Sequence, residues 1–154
     1  MKEIRTVIIG FGGMGKKYAK IIAEGQAPGL TLQGICCRNQ PGQQEIRTLY
    51  PQTALYQDVE DTFSHQEDFD AVVIATPHST HVEIGKKAFS CGKHVFCENL
   101  WGLRQKQQKN WQLQAGRYGI CRDVSLQNLP GIPQGKGNAG YRRSGTCNES
   151  CLDL

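Results

Sequence analysis

No stretch of the 154 residues is apolar for the ~18–20 positions that a membrane-crossing helix requires. The opening run MKEIRTVIIGFGG mixes charges of both signs with only a short apolar stretch. It therefore lacks the basic region, apolar core and small-residue cleavage site of a secretory signal. A cytoplasmic protein that engages no membrane is expected. Branched apolar residues are scarce in one part only. Residues 99–154 hold three Ile and Val together and no Phe, against fifteen and five in residues 1–98. A segment so poor in core-forming side chains buries too little surface to offset chain entropy. Acidic residues are few in the same segment. It carries 8 Lys+Arg and 3 Asp+Glu, whereas residues 1–98 carry 10 and 11, so the formal charge of +4 arises entirely there. No recognisable nucleic-acid module accompanies this basic excess, and nucleic acid is not expected as a partner.

Cysteine is not scarce, but its number, 7, is odd. Buried or redox-silent thiols are the expectation. The spacing Cys91-x-x-His94-x-x-Cys97 offers three zinc ligand types. However, HVFC reads as a buried strand, whose alternation sends His94 and Cys97 to opposite faces. No metal site is expected.

Residues 1–98 alternate strand and helix signals. IRTVII (4–9) is a β-branched strand, and KKYAKIIAEG an amphipathic helix stopped by Gly25 and Pro28-Gly29. Residues 30–37 form a second strand, and Pro41 opens a helix ending near Tyr50-Pro51. Ala54–Tyr56 is a short strand, and 59–65 a short helix. FDAVVIA (69–75) is continuously apolar, as a strand covered on both faces of a parallel sheet must be. Ser79 or Thr80 is expected to cap a helix running to Gly92, before a fifth strand at 94–97. This alternation predicts a doubly wound, Rossmann-type α/β sheet over residues 1–98. Residues 99–154 are expected to hold no strand, at most a weak helix at 103–118, and disorder at 128–154.

Gly10-x-Gly12-x-x-Gly15 falls between the first strand and first helix, the context that the dinucleotide fingerprint requires. The first glycine makes a tight turn, the second admits the pyrophosphate, and the third lets helix and strand pack. Amides at Gly13–Gly15 then face the negative charge. The alternatives are a turn that binds nothing, or a different nucleotide-like ligand. A carboxylate for the ribose 2′-hydroxyl is expected about 20 residues on. The sequence there is Cys36-Cys37-Arg38-Asn39, with no acid. Arg38 instead suits a 2′-phosphate, which favours NADP over NAD.

The strings IIGFGGMG and DAVVIATPHSTHVEIGKKAFSCGKHVFCE resemble the N-terminal half of the Gfo/Idh/MocA family, the glucose–fructose oxidoreductase and inositol dehydrogenase relatives. The resemblance covers residues 3–98. It implies a Rossmann domain followed by an α/β substrate domain, and NAD(P)-dependent hydride transfer at a sugar, polyol or related hydroxyl carbon. By position, Gly10, Phe11, Gly12, Gly13, Met14 and Gly15 would form the phosphate loop. Cys37 and Arg38 would stand at the ribose. Ala75, Thr76, Pro77 and His78 would form the loop beside the cofactor, with His81 at the next helix and Glu98 near the nicotinamide. The residues alone read His81 as a locally bonded helix-start side chain.

The family continues Cys-Glu-Lys-Pro-Leu-Gly, and its lysine approaches substrate and nicotinamide. Here Cys97-Glu98 is followed by Asn99-Leu100-Trp101-Gly102. The resemblance therefore supplies no catalytic residue to this chain. It also implies that the second domain, with the substrate site and most subunit interfaces, is missing. One inserted A after the Glu98 codon restores the motif. With Asn99 as AAC and Leu100 as CTT or CTC, the new frame reads AAA-CCT-(T/C)TG-GGG, which is Lys-Pro-Leu-Gly. Further on, Gln105–Leu113 give Lys/Glu, Thr/Ala, Thr/Ala, Lys/Glu, Lys/Glu, Leu, Ala and a small or branched residue. That output favours a helix. Residues 99–154 are expected to be out-of-frame translation. The alternative is a genuine short protein, a stand-alone NAD(P)-binding or redox-sensing module without enzymatic activity.

Overall fold

The computed structural model describes residues 3–97 and the backbone of residues 120–122. In chain order the elements are β1 (Ile4–Ile9), α1 (Gly13–Ala23), β2 (Leu30–Cys36), α2 (Gln40–Leu49), β3 (Ala54–Tyr56) and α3 (Val59–Ser64). A 3-10 turn (Gln66–Asp68), β4 (Ala71–Ile74), α4 (His78–Ser90), β5 (His94–Cys97) and β6 (Ile120–Arg122) follow. The six strands form one sheet in the order β3-β2-β1-β4-β5-β6, and every pairing is parallel. The order reverses beside β1, which opens a crevice at the carboxyl ends of β1 and β4.

Strand alternation divides the apolar residues between two faces. Val7, Ile9, Val72, Ile74, Val95 and Cys97 pack with Phe63 of α3 and Ile84, Ala88 and Phe89 of α4. Ile8, Ile35 and Val73 face the other way, onto Tyr18, Ala19 and Ile22 of α1 and Ile46 of α2. Helices on both faces explain why Val7–Ile9 of β1 and Ala71–Ile74 of β4 are apolar at every position. Val7, Ile8, Ile9, Val72 and Ile74 are fully buried, so truncating any of the three isoleucines to Ala would cost about 2–5 kcal/mol.

Local chemistry sets the ends. Asn39 caps α2, accepting from the Gly42 amide at 2.7 Å. Asp58 caps α3, accepting from the Asp61 amide at 2.8 Å, and Glu60 and Asp61 favour its positive end. Past α4, Gly92 takes φ +69°, a left-handed conformation that suits glycine. At the opposite end of the sheet from the crevice, Arg5 grips Asp70 through two side-chain bonds of 3.0 and 2.9 Å.

Four expectations need correction. The first helix begins at Gly13, not Lys16, because the last glycines of the loop are already helical. The fourth strand is Ala71–Ile74, not 69–75. Phe69 remains fully buried and Asp70 turns to Arg5. Neither Ser79 nor Thr80 caps α4. Pro77 precedes the helix, and the Thr80 hydroxyl bonds back to Thr76 and to the Pro77 carbonyl. Finally, residues 99–154 do contain a strand. The backbone of Ile120–Arg122 pairs with Val95–Cys97, using one of the three Ile/Val positions of that segment. The helix expected at 103–118 and the disorder at 128–154 lie outside the described residues.

Candidate functional site

The glycine loop leaves β1 at its carboxyl end and enters α1. Gly10 has φ +104°, and a Cβ there would lie 2.8 Å from the Ala75 carbonyl oxygen and 3.0 Å from Cγ2 of Thr76. The loop after β1 thus touches the loop after β4. At Gly15 an added Cβ would overlap the Gly10 carbonyl oxygen, so the first turn of α1 lies directly against the end of β1. Protein packing explains both of these glycines. It does not explain Gly12 and Gly13. A Cβ at either would meet nothing within 4 Å, and both are exposed.

Among the described residues, no carboxylate stands in the first turn of the helix that follows. Gly12 is the N-cap of α1, supplies no side-chain cap, and is followed by no acid in the first turn. The first amides of α1 therefore keep their donors and the positive end of the helix dipole for an anion. An open cradle of backbone with an uncapped helix start fits a dinucleotide pyrophosphate.

The remaining sequence-predicted residues divide by what their side chains touch. Phe11 is buried in the core against Tyr50, ring centroids 6.3 Å apart, with Lys16 Nζ 5.5 Å from its ring. Only its backbone faces the loop. Met14 is half-buried and packs against the same cluster. Cys37 is buried as well, and its backbone is engaged: its amide donates to Tyr56 at 3.0 Å and its carbonyl accepts from Gln43 at 2.8 Å. Arg38 follows it at the carboxyl end of β2 and is exposed, with no ion pair to any described residue. The nearby acid Glu45 bonds Lys16 at 2.6 Å instead.

After β4, Ala75 and Thr76 are half-buried, and Pro77 and His78 exposed. The Ala75 amide donates to Ile9 at 2.9 Å, which fixes this loop to the end of β1. His78 meets His81 edge to face at 5.1 Å. His81 is only 2% exposed. Its Nε2 lies 2.6 Å from the Thr76 carbonyl oxygen, and its Nδ1 lies 3.2 Å from Sγ of Cys97. The local bond agrees with the residue-level expectation, while the link to Cys97 was missed. Thr80 was missed too, although its hydroxyl lies 2.7 Å from that of Thr76. A polar residue one helical turn past the loop was the available signal. Glu98 lies outside the described residues. Among the described residues no group of three His, Cys, Asp or Glu side chains is arranged for a metal ion, and no helix is long and apolar enough to cross a membrane.

The family described as "Oxidoreductase family, NAD-binding Rossmann fold" (Gfo/Idh/MocA) matches residues 4–99. Among curated proteins, the chain is 29% identical over 109 residues to the scyllo-inositol 2-dehydrogenase (NAD(+)) of Bacillus subtilis, covering 70% of this chain and 31% of that protein. It is 29% identical over 103 residues to the uncharacterized oxidoreductase YrbE of the same organism, covering 63% and 28%. Among solved structures, it resembles the scyllo-inositol dehydrogenase of Lactobacillus casei with bound cofactor NAD(H) and scyllo-inositol. The TM-score is 0.71 at 26% identity, over 79% of this chain and 36% of that one. The chain thus spans under a third of the length of these curated relatives. With the parallel 3-2-1-4-5-6 sheet and the glycine loop in place, the chain belongs to the Gfo/Idh/MocA oxidoreductase family.

Proposed function

We propose that this chain is the cofactor half of a hydride-transfer oxidoreductase acting on a sugar, polyol or related hydroxyl compound. Its crevice binds NADP(H) or NAD(H) at the carboxyl ends of β1 and β4. The observation that carries the reading is the contrast among the glycines. Gly10 and Gly15 are required by packing, whereas a Cβ at Gly12 or Gly13 would meet no described atom, which leaves the space open to a ligand. When bound, the nicotinamide supplies the hydride acceptor or donor. The protein's part is to seat the pyrophosphate on the amides of α1 and to hold the loop after β4 beside it. Arg38 is the cation for a 2′-phosphate, with no carboxylate alongside to receive a ribose hydroxyl. NADP(H) is therefore the preferred form. A cytoplasmic setting belongs to the same reading.

The chain is catalytically incomplete. The Lys-Pro-Leu-Gly continuation is absent from the translated sequence and returns with one inserted base. Residues 99–154 are accordingly out-of-frame translation, outside the cofactor domain of residues 1–98. One observation favours a second reading: β6 gives Ile120–Arg122 a place in the sheet, as a genuine tail of a stand-alone NAD(P)-binding or redox-sensing module would have.

Two experiments test these readings. Titration of the purified chain with NADPH and NADH should give saturable binding of one dinucleotide per chain, tighter for NADPH. Absence of saturation with both would overturn the binding reading, and tighter NADH binding would overturn the preference. A high-accuracy read of the gene from codon 90 onward should reveal a missing A, or a shifted open frame that continues into a second α/β domain. A confirmed sequence with nothing family-like in that frame would overturn the frameshift and leave the binding module.

A further inference from the structure

His81 and Cys97 are buried polar side chains that the cofactor cradle does not itself use. Cys97 is the last residue of β5 and fully buried, and His81 lies in the first turn of α4. The other core positions of α4 are Ile84, Gly85, Ala88 and Phe89, so an apolar side chain would suffice to fill space at 81. A histidine adds direction. Its Nε2 is 2.6 Å from the Thr76 carbonyl oxygen. A carbonyl only accepts, so Nε2 carries the ring hydrogen. In the neutral ring Nδ1 is then the acceptor. The Cys97 thiol, 3.2 Å away, is the donor. The order is Cys97 S–H to His81 Nδ1, then His81 Nε2–H to Thr76 C=O. The carbonyl, which can only accept, thus selects the tautomer, and the thiol holds the ring by donating to its bare nitrogen.

The residue that carries the held carbonyl lies against the glycine loop. Cγ2 of Thr76 is 3.0 Å from where a Gly10 Cβ would be, and Ala75 is bonded to Ile9. The Thr80 hydroxyl holds the Thr76 side chain from the same helix turn. Thr76 is therefore held through its hydroxyl by Thr80 and through its carbonyl by the imidazole. We propose that Cys97 and His81 are positioning residues. The thiol fixes the imidazole, the imidazole fixes the Thr76 peptide, and that peptide sets the width of the crevice between the glycine loop and the loop after β4. The proposal rests on the dinucleotide reading above.

The test uses the full 154-residue chain with 15N-histidine labelling, and NADPH as the probe. Long-range 1H–15N correlation should find His81 protonated at Nε2 and bare at Nδ1. Cys97→Ala and Cys97→Val, which cannot donate, should each weaken NADPH binding about five- to tenfold, the worth of one neutral hydrogen bond. Cys97→Ser, whose hydroxyl can donate to the same nitrogen, should bind within about twofold of wild type. His81→Ala should show a loss that Cys97→Ala does not add to. Titrations are normalised to the folded fraction. If the non-donor variants only melt earlier and bind NADPH as wild type does, or if His81 is protonated at Nδ1, the positioning role is overturned while the cofactor reading stands. If wild type itself binds neither dinucleotide, the cofactor reading falls and takes the role with it. Both non-donor variants are used because Val preserves more packing than Ala where Ala does not fold.

Discussion

Replacing the three fingerprint glycines one at a time by Ala should separate packing from binding. Gly15→Ala forces a methyl into the Gly10 carbonyl oxygen, a backbone atom that cannot swing away. Overpacking of this kind costs about 1–3 kcal/mol. Gly10→Ala combines φ +104° with a contact of 2.8 Å to the Ala75 carbonyl oxygen, adding about 1–3 kcal/mol of backbone strain to the overlap. Gly12→Ala meets no atom of the described residues, and its φ of −79° suits any L-residue. Its loss of unfolded-chain entropy, about 0.4–1 kcal/mol, opposes a weaker N-cap preference of similar size. The net change is within about 1 kcal/mol. For a domain of this size 1 kcal/mol moves Tm by about 4–8 °C. Thermal melting should therefore place Gly12→Ala within several degrees of wild type and the other two well below it. NADPH titration should instead set Gly12→Ala apart from wild type, with affinity lowered at least about tenfold by the methyl between backbone and pyrophosphate. A Gly12→Ala variant that binds NADPH as wild type does would refute the cradle. One that melts as early as Gly15→Ala would refute the packing argument.

Arg38→Ala should weaken NADPH binding about ten- to a hundredfold, the worth of a hydrogen bond to a charged partner, and leave NADH within about twofold. Equal losses for both dinucleotides would remove Arg38 from the 2′-position. Asp70→Asn should cost no more than about 1 kcal/mol by denaturant midpoint, because the Arg5–Asp70 side chains are 43% and 28% exposed and solvent screens them. A much larger loss would mean that the pair organises the amino end of the sheet. Burial raises the Cys36 thiol above its ordinary pKa, and burial does the same to the Tyr56 hydroxyl. Folded chains then hold these protons more tightly than unfolded ones. Stability is complete below the unfolded thiol value and should fall as pH rises past about 8.5, at up to about 1.4 kcal/mol per pH unit for each proton released. Urea midpoints from pH 7 to 10 should decline, less so for Cys36→Ala. A flat profile would contradict the burial argument.

Much of the fold was legible in residues 1–98 because its signals are local. The β-branched run 4–9, the helix opened by Pro41 and the apolar run 69–75 each report their own element, the last with bounds wider than the observed strand. The glycine spacing placed the crevice, since φ +104° at Gly10 and the contact at Gly15 are needs that glycine alone meets. Contacts between elements were less legible. Nothing near Cys97 in sequence points to His81, sixteen residues earlier, so the spacing suggests Cys97 only as a metal ligand. The capping role expected of Ser79 or Thr80 failed because Pro77 already sets the entry to α4 and Thr80 turns back to the loop. β6 was missed because three residues, Ile120–Arg122, carry too short a pattern to stand out in a polar segment. The sheet edge beside β5 supplies the pairing that the sequence itself does not announce.

The most direct measurement is a 1H–15N correlation spectrum of the chain during NADPH addition. The amides of Gly12, Gly13, Met14 and Gly15 should shift together with those of Ala75, Thr76 and His78, and saturate at one dinucleotide per chain. Amides near Arg5 and Asp70, at the opposite end of the strands, should stay in place. Absence of saturable shifts, or shifts centred on that opposite end, would contradict a cofactor crevice at the carboxyl ends of β1 and β4.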